Sequence, residues 1–467
     1  MSDIVNKLWG MCHTLRHDGV DYGDYIEQLT YLLFIKIADE KNVELPKKCD
    51  WDSLKGEAGT ELTDHYLMVL QKLRDSKGLL GDIFAQAMPK FNNPVSLKKI
   101  ITMIDAEDWS SMGVDVKAEA FEGLLEKAAS EGKKGAGQYF TPRVLIQSIV
   151  RLMQPDPLKQ PELTICDPAC GTGGFLVAAY EWFIQKTKGA IPVDDVKRIK
   201  EKTYYGQDLV ARPRRLALMN LFLHGLKPTI YLGDTIDEPD RGERYDVILT
   251  NPPFGTKGAG QAPVRDDFTI STSNKQLNFV QHILTILKPG GRAAIVLPDN
   301  CLFEDKAGEV FEIVMKDCNV HTILRLPRGT FIPYANALAN VVFLQKGKPT
   351  EKVWIYDCRS NIPGCTKKDR PLTADMFSDF EKCYGTLRQA QGPGPRTDQG
   401  PEGRFRAFSI DEIKERNYKL DIKWLKDDTL DDPNDLPEPT DLIAEAVSEL
   451  EAVVDELNEV TVLLGKE

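Results

Sequence analysis

Residues 163–176 read Leu-Thr-Ile-Cys-Asp-Pro-Ala-Cys-Gly-Thr-Gly-Gly-Phe-Leu. The first four residues predict a short buried strand, and the stretch from Phe175 to Lys188 predicts a helix. Glycines between a strand and a helix let the backbone turn tightly and approach a ligand closely. A turn of this kind is weak evidence alone, but it predicts where a ligand would bind.

This turn differs from two common phosphate-binding loops. Leu176 stands where the third glycine of the dinucleotide-binding fingerprint would fall, and no Lys-Ser or Lys-Thr pair follows as in a P-loop. Asp167 instead ends the strand. A carboxylate at this point suits a cofactor that has a positively charged amino acid moiety and no phosphates.

Further strands follow at intervals, with helical stretches between them. Apolar runs predict strands over Tyr204–Asp208, Tyr245–Thr250 and Arg292–Pro298. Alternation of strands and helices predicts an α/β fold with a mainly parallel sheet, whose ligands bind at the carboxyl ends of the strands.

The flanking regions have a different character. Residues 1–130 are predicted to be helical, with an apolar stripe over residues 24–38. The glycine-rich stretch 131–137 predicts a hinge or a loop that orders on binding. Residues 386–404 are rich in Pro and Gly, which predicts a flexible insertion. A heptad pattern over 440–465 predicts a helix, packed either on its own domain or on a partner.

Composition limits the possible functions. The chain has 467 residues, with 59 Lys and Arg against 71 Asp and Glu, a formal net charge of −12. Indiscriminate DNA coating is therefore excluded, and any DNA binding needs a local cleft or a basic partner. No signal peptide or membrane-spanning run is evident, and the nine cysteines fit neither a disulfide framework nor a zinc site. We expect reduced thiols, no metal and a cytoplasmic protein.

A second motif, Asn251-Pro252-Pro253-Phe254, follows the strand Tyr245–Thr250. The prolines restrict the backbone, which holds the carbonyls as rigid acceptors. The Asn251 side-chain oxygen and the Pro252 carbonyl could together accept both hydrogens of an exocyclic amine, while Phe254 could stack on a flat ring. A proline-rich turn capped by Asn is the alternative interpretation.

These two motifs, in this order, resemble the cofactor-binding and catalytic motifs of N6-adenine DNA methyltransferases that use S-adenosylmethionine. A third stretch, Gly137-Gln138-Tyr139-Phe140-Thr141-Pro142-Arg143, resembles the segment that covers the methionine end of the cofactor. This third stretch, the helical N-terminal region and the stretch 421–428 together resemble one family in particular. That family is the modification subunit of type I restriction–modification systems.

The resemblance implies roles for individual residues. It implies catalysis by Asn251, Pro252 and Phe254. For cofactor binding it implies a set from the three segments and the strand ends: Gln138, Tyr139, Phe140, Thr141, Asp167, Gly171, Thr172, Gly173, Gly174, Asp208 and Asp234. It implies target-base stacking by Phe254, Phe331 and Tyr334.

Three of these residues have an ordinary structural alternative. Asp208 matches the acidic position that holds the ribose hydroxyls, and it could instead be a helix N-cap. Asp234 matches a residue near the adenine amine of the cofactor, and it could instead be a turn aspartate. Phe331 matches a second contact to the target base, and it could instead be a core aromatic.

The resemblance also implies an architecture and an assembly. A Rossmann-like S-adenosylmethionine-dependent methyltransferase domain over 138–346, with helices on both faces of its sheet, would follow an all-α domain over 1–130. Residues 347–467 would form a C-terminal region that ends in a helical tail. A separate specificity subunit would read double-stranded DNA, two modification subunits would clasp it by closing the N-terminal helices about residues 131–137, and a restriction subunit would join them.

Three alternatives stay open at this stage. The chain could be a stand-alone N6-adenine methyltransferase that recognises its own site, although no basic sequence-reading domain is evident. Asn-Pro-Pro-aromatic turns also occur in shorter enzymes that methylate a glutamine amide on a protein. A non-catalytic DNA-binding scaffold subunit with an unused cofactor pocket is the third alternative, against which intact Asp167, Asn251 and Phe254 argue.

Overall fold

The computed structural model describes residues 6–7, 9–10, 22–40, 43–91, 93–107, 109, 141–254, 262–332, 337–366, 369–385 and 397–427. The chain divides into two compact units. The first unit is Met1–Thr235 with Tyr245–Asn251, and the second is Ile236–Arg244 with Pro252–Glu467. The predicted hinge over 131–137 and the predicted helix over 440–465 lie outside the described residues.

The N-terminal part of the first unit is helical, as predicted. Its helices are α1 (Tyr22–Glu40), α2 (Trp51–Gly56), α3 (Gly59–Arg74), α4 (Leu79–Phe84) and α5 (Pro94–Asp105). Local sequence explains where two of them begin. Asp50 accepts a hydrogen bond from the backbone N–H of Ser53 at the start of α2, and Asn93 caps α5, in which Pro94 is the first residue.

The first unit also contains four strands, β1 (Ile165–Asp167), β2 (Tyr204–Asp208), β3 (Thr229–Leu232) and β4 (Tyr245–Thr250). Their order is β3-β2-β1-β4, and the pairings β3–β2, β2–β1 and β1–β4 are all parallel. The accompanying helices are α6 (Arg143–Met153), α7 (Gly174–Thr187), α8 (Val193–Lys202) and α9 (Ala211–Leu223). Helix α7 contacts β1 and β4, and α9 contacts β2 and β3. The predicted α/β fold is confirmed.

Arginines of α9 join it to the N-terminal helices. Arg212 pairs with Asp24 of α1. Arg214 Nη2 lies 2.7 Å from Asp82 Oδ1 in α4. Arg215 is buried, donates from Nε to the Ile83 carbonyl at 2.8 Å and pairs with Glu27. Removing one partner of a buried pair typically costs about 3–5 kcal/mol, a cost that applies to Arg215 with Glu27, whose side chains are 3% and 12% exposed. The pairs of Arg212 and Arg214 are more exposed and contribute less.

The second unit adds strands of both directions. They are β5 (Leu287–Pro298), β6 (Cys318–Arg325), β7 (Ala339–Lys346), β8 (Lys352–Asp357) and β9 (Phe405–Ser409), in the order β5-β7-β6-β8-β9. The pairings β5–β7, β7–β6 and β8–β9 are antiparallel, whereas β6–β8 is parallel. The parallel arrangement predicted from the sequence therefore holds in the first unit, and the fold as a whole is mixed.

The remaining helices of the second unit are α10 (Lys275–Ile286), α11 (Ala307–Asp317), α12 (Asp375–Gly385) and α13 (Ile410–Glu415). Strand β8 pairs with β6, so regular structure continues beyond residue 346, where the sequence analysis ended the catalytic domain. Residues 397–404 of the predicted insertion are described as well. Gln399 Oε1 accepts hydrogen bonds from the backbone of Arg404 and Phe405, which holds this part in a turn before β9.

Within the described residues, no helix combines the length and apolar character needed to span a membrane. The same residues include no group of three or more His, Cys, Asp or Glu placed to bind a metal ion.

Candidate functional site

Three predicted acidic residues lie at neighbouring strand ends of the first unit. Asp167 ends β1, Asp208 ends β2, and Asp234 follows β3. Because these strands are parallel and adjacent in the order β3-β2-β1, their carboxyl ends lie along one edge of the sheet. The topology therefore brings together residues that are far apart in sequence.

The glycine-rich turn lies at the same edge. Cys170 N–H donates to the Gln207 carbonyl at 2.9 Å, and Asn220 Nδ2 donates to the Thr172 carbonyl at 3.2 Å. Gly171 and Gly173 have φ values of +52° and +80°, which L side chains rarely adopt. A Cβ at Gly173 would lie 3.3 Å from the Ala217 Cβ of α9. The turn is therefore closely packed against α9 at Gly173.

A Cβ at Gly171 would meet no atom within 4 Å in the described structure. Gly174 differs, since a Cβ there would lie 3.1 Å from the Ile146 Cδ1 of α6. The turn therefore has an open side at Gly171 and a packed side at Gly173 and Gly174. A ligand could approach the backbone at Gly171.

The side-chain carboxyl of Asp167 is buried and has a raised pKa. Its Oδ1 accepts a hydrogen bond from the Ala169 N–H at 3.1 Å, and the residue is 2% exposed. Burial, with a smaller effect from nearby Asp208, raises the pKa of Asp167 to about 7. No described lysine or arginine pairs with it. A cationic group that bound beside this carboxylate would offset the electrostatic cost of burying it.

Asp208 joins β2 to the glycine-rich turn. Its Oδ2 accepts from the Gly171 N–H at 3.0 Å, and its Oδ1 accepts from the Val210 N–H at 2.8 Å. Burial raises the pKa of Asp208 to about 6. The N-cap of α9 is Val210, so Asp208 is not the helix N-cap of the alternative interpretation. Each carboxylate oxygen keeps a lone pair that could accept from a hydroxyl.

Asp234 lies in a segment bound to both of these strand ends. Gly233 N–H donates to the Asp208 carbonyl at 3.1 Å, and the Thr235 hydroxyl donates to the Pro168 carbonyl at 2.7 Å. These flanking bonds fix the backbone on either side of Asp234. The segment that contains Asp234 therefore lies against the start of the glycine-rich turn.

Asn251 is positioned by a residue from the third motif. Its Nδ2 donates to the Thr141 Oγ1 at 2.9 Å. Its Oδ1 is buried and has no hydrogen-bond partner among the described residues. A buried carbonyl without a donor costs about 1–3 kcal/mol, which a donor from a bound molecule would relieve. The amide is thus oriented with its acceptor available.

Thr141 is itself held by the start of α6. Arg143, two positions further on, donates from Nη2 to both carboxylate oxygens of Glu181 at 2.8 and 3.0 Å. Glu181 belongs to α7, the helix that follows the glycine-rich turn. The contact fixes the beginning of α6 on α7, and with it the residue that orients Asn251.

Pro252, Pro253 and Phe254 belong to the second unit. The Pro253 carbonyl accepts from the Gln276 Nε2 of α10 at 2.5 Å, which fixes the backbone before Phe254. The ring of Phe254 meets that of Phe331 edge to face, with centroids 5.8 Å apart and an interplanar angle of 82°. Phe331 is fully buried. Its ring therefore packs against that of Phe254 in the interior of the protein.

Four predicted site residues, Gln138, Tyr139, Phe140 and Tyr334, lie outside the described residues. The structure also draws attention to three residues that the sequence analysis did not single out. Leu209, Val210 and Leu232 are 62%, 43% and 38% exposed and adjoin the ends of β2 and β3. Large apolar side chains exposed beside strand-end carboxylates are suited to cover a flat apolar ring.

Two family models match the chain. The N-6 DNA methylase family matches residues 113–429, and the HsdM N-terminal domain matches residues 4–104. The first match includes the glycine-rich turn, the Asn251 motif and every described strand. The second includes helices α1 to α4 and all but the last residue of α5.

Relatives match along nearly the whole chain. The type I restriction enzyme StySPI methylase subunit of Salmonella potsdam is 37% identical, over 99% of this chain and 96% of its own length. The solved type I restriction enzyme EcoKI M protein (EC 2.1.1.72) is 33% identical, with a TM-score of 0.57 and coverage of 100% and 97%. A chain from a structure that describes complex assembly and conformational transition of the type I R-M system is 26% identical. Its TM-score is 0.76, with coverage of 100% of this chain and 99% of that one.

Proposed function

The chain belongs to the family of methylase subunits of type I restriction enzymes, and from this premise we propose how its residues act. It is an adenine-specific DNA methyltransferase. In the proposed reaction, a methyl group passes from S-adenosylmethionine to the N6 atom of an adenine in double-stranded DNA. A separate specificity subunit supplies sequence recognition.

One observation carries the proposed chemistry. Asn251 Oδ1 is a buried acceptor without a described donor, and Thr141 fixes the amide that bears it. The N6 amine of adenine has two hydrogens, and its lone pair is delocalised into the ring. Hydrogen bonds from that amine to Asn251 Oδ1 and the Pro252 carbonyl would draw the nitrogen towards tetrahedral geometry, which localises the lone pair for attack.

The target adenine must leave the duplex before these contacts can form. Flipping a nucleotide out costs a few kcal/mol. Stacking on an aromatic side chain contributes about 1–3 kcal/mol per base, so the Phe254 face would offset much of that cost. Phe331 packs edge to face against Phe254 and would keep its ring oriented. We propose stacking by Phe254 and support by Phe331; Tyr334 stays a predicted contact from the sequence.

The described residues fit S-adenosylmethionine. The Asp167 carboxyl is buried and the Asp208 carboxyl is partly buried. Both have raised pKa values and no described lysine or arginine beside them, which suits an ammonium group and ribose hydroxyls rather than phosphates. The open side of Gly171 leaves room for a ligand to approach the backbone. When bound, this cofactor supplies an activated methyl group, so the reaction needs no covalent intermediate on the protein.

Each group of residues has a proposed part in binding. Asp167 and the stretch 171–174 would hold the methionine portion, Asp208 would accept from the ribose hydroxyls, and Asp234 would lie near the adenine amine. Leu209, Val210 and Leu232 would cover the faces of the adenine ring. Gln138, Tyr139 and Phe140 stay predicted cover residues from the sequence, next to Thr141.

We further propose the partners that the family implies: double-stranded DNA, one specificity subunit shared by two methylase subunits, and a restriction subunit. The net charge of −12 supports this, since a chain so acidic needs a local cleft or a basic partner to hold DNA. The TM-score of 0.76 to a chain from a type I assembly supports it as well. Closure of the N-terminal helices about 131–137 would have to break the contacts of Arg212, Arg214 and Arg215 with α1 and α4. Unchanged small-angle scattering of the complex on DNA binding would count against such closure.

Identifying the molecule that accepts the methyl group tests this proposal. The chain, purified with its native partners, is incubated with methyl-labelled S-adenosylmethionine, unmethylated DNA and host protein extract. Label in DNA, lost in an Asn251→Ala variant that still binds cofactor, is the expected result. Label in protein would favour the glutamine-amide alternative. No label despite cofactor binding, with all partners present, would favour a scaffold.

A further inference from the structure

The loop that carries Phe331 is fixed by backbone contacts on one side. Residues 326–331 follow β6. The Leu326 carbonyl accepts from Arg359 Nε at 3.0 Å, and the Arg328 carbonyl accepts from the Cys365 N–H at 2.7 Å. Gly329 has a φ of +72°, and a Cβ there would lie 2.3 Å from the Cys365 carbonyl oxygen. The loop therefore has little freedom where it faces residue 365.

A second stretch of chain, residues 418–427, contacts the Arg328 side chain of the same loop. We call residues 418–427 the C-terminal segment. It is anchored by the Leu420 N–H, which donates to the Leu302 carbonyl at 2.8 Å, and by Trp424 Nε1, which donates to the Gly403 carbonyl at 2.8 Å. The Trp424 ring also packs against Phe408 at 5.6 Å between centroids. The segment is thus firmly seated before it reaches residue 427.

The C-terminal segment meets the Phe331 loop at an ion pair. Asp427 Oδ2 pairs with Arg328 Nη2, and the two side chains are 12% and 20% exposed. Asp427 Oδ1 also accepts from the Asn361 N–H at 3.2 Å, and Asn361 Nδ2 donates to the Lys426 carbonyl at 2.8 Å. Asp427 therefore contacts both Arg328 of the Phe331 loop and the backbone of Asn361.

We propose that the Arg328–Asp427 ion pair is a positioning contact that couples the C-terminal segment to Phe254 and Phe331. It deepens, and rests on, the proposed methylation of a flipped-out adenine. Arg328 lies three residues before Phe331, whose ring packs edge to face with the Phe254 ring. When the pair is intact, the loop holds Phe331 against Phe254, and Phe254 presents its face to the base.

The test uses the full chain in its complex with the native partners. Asp427→Asn removes the charge and keeps an acceptor for the Asn361 N–H. A charge-swapped double variant, Arg328→Asp with Asp427→Arg, restores an ion pair. The matched control is Asp421→Asn in the same segment, which breaks a more exposed pair with Arg416 (3.1 Å; Asp421 35% and Arg416 44% exposed).

Three quantities are measured: the single-turnover rate of methyl transfer, the dissociation constant for S-adenosylmethionine, and the fluorescence of 2-aminopurine placed at the target adenine. Coupling energies between contacting residues imply that Asp427→Asn slows transfer by about fivefold to fiftyfold. We expect it to reduce the 2-aminopurine signal, leave cofactor affinity unchanged, and be partly rescued by the double variant. Asp421→Asn is expected to match the wild type.

Other outcomes overturn the coupling. An Asp427→Asn complex with wild-type rate and fluorescence would show that the pair does not act on the base pocket. A loss of cofactor affinity together with rate, not restored by the double variant, would show a general structural role instead. If the wild-type complex itself fails to methylate adenine, the proposed function is contradicted, an outcome distinct from either of these.

Discussion

Asn251 Nδ2 donates a 2.9 Å hydrogen bond to Thr141 Oγ1, which joins the motif after β4 to the start of α6, 110 residues earlier in the chain. Because of this bond, the two polar atoms of the Asn251 amide have different roles. Nδ2 is fixed to the protein, and Oδ1 is left as a buried acceptor.

Replacing Asn251 by Ala removes the acceptor for the target amine. We expect the single-turnover rate of methyl transfer to fall by at least about 10²-fold, comparable with the loss of one preorganised hydrogen bond at a transition state. The dissociation constant for S-adenosylmethionine, measured by calorimetry, is expected to stay the same. Lost cofactor binding in a folded variant would contradict this role of Asn251.

Thr141→Val keeps the shape of the side chain and removes its hydroxyl. The Asn251 amide is then free to rotate, and we expect transfer to slow by about tenfold, the effect of a hydrogen bond worth roughly 1.4 kcal/mol. Thr141→Ser is the matched control, because it restores the hydroxyl. Equal rates for the Val and Ser variants would show that this hydroxyl does not orient Asn251.

Phe254→Leu removes the aromatic face and retains an apolar side chain. Because base stacking contributes about 1–3 kcal/mol, we expect the 2-aminopurine signal at the target site to drop and the transfer rate to fall about tenfold to a hundredfold. Phe254→Trp keeps a face for stacking and is expected to preserve most of both. A Leu variant that flips the base normally would exclude stacking by Phe254.

Asp167→Asn is expected to make the unliganded protein more stable while it weakens cofactor binding. The pKa of Asp167 is raised to about 7 in the folded protein, so holding it ionised costs stability as pH rises from its ordinary value towards 7. The Asn variant avoids that cost. Its melting temperature should therefore exceed that of the wild type by a margin that grows from pH 5 to pH 8, equivalent to about 2–4 kcal/mol at the upper end.

The affinity for S-adenosylmethionine should depend on the protonation state of the same Asp167 carboxyl. Below pH 7 the Asp167 carboxyl of the wild type gains a proton and loses its attraction for an ammonium group. We therefore expect the affinity of the wild type for S-adenosylmethionine to rise between pH 6 and pH 8 more steeply than that of Asp167→Asn. Parallel pH dependences for the two proteins would contradict this account of Asp167.

Local sequence was enough to predict the core of the fold. The strand, glycine turn and helix around Asp167 are encoded within residues 163–188, and the structure has β1 and α7 where the pattern indicates them. Asp208 and Asn251 could be predicted as strand-end residues for the same reason. Parallel pairing then brings the ends of β1, β2 and β3 together without any further signal.

Long-range contacts between charged side chains could not be predicted in this way. The Arg214–Asp82 and Arg328–Asp427 pairs join residues 132 and 99 positions apart, and neither partner has a local sequence signature. Antiparallel β7 resembles any other apolar strand, so the mixed topology of the second unit was also missed. The burial of Phe331, likewise, depends on packing that sequence periodicity does not reveal.

The most direct test of the central claim is the identity of the methylated nucleoside. DNA treated with the purified complex and methyl-labelled S-adenosylmethionine is digested to nucleosides, which are separated and identified by mass spectrometry. The account predicts that the label lies in N6-methyladenine and is absent when Asn251→Ala replaces the wild type. Label in a methylated cytosine, or N6-methyladenine that persists in the Asn251→Ala complex, would contradict it.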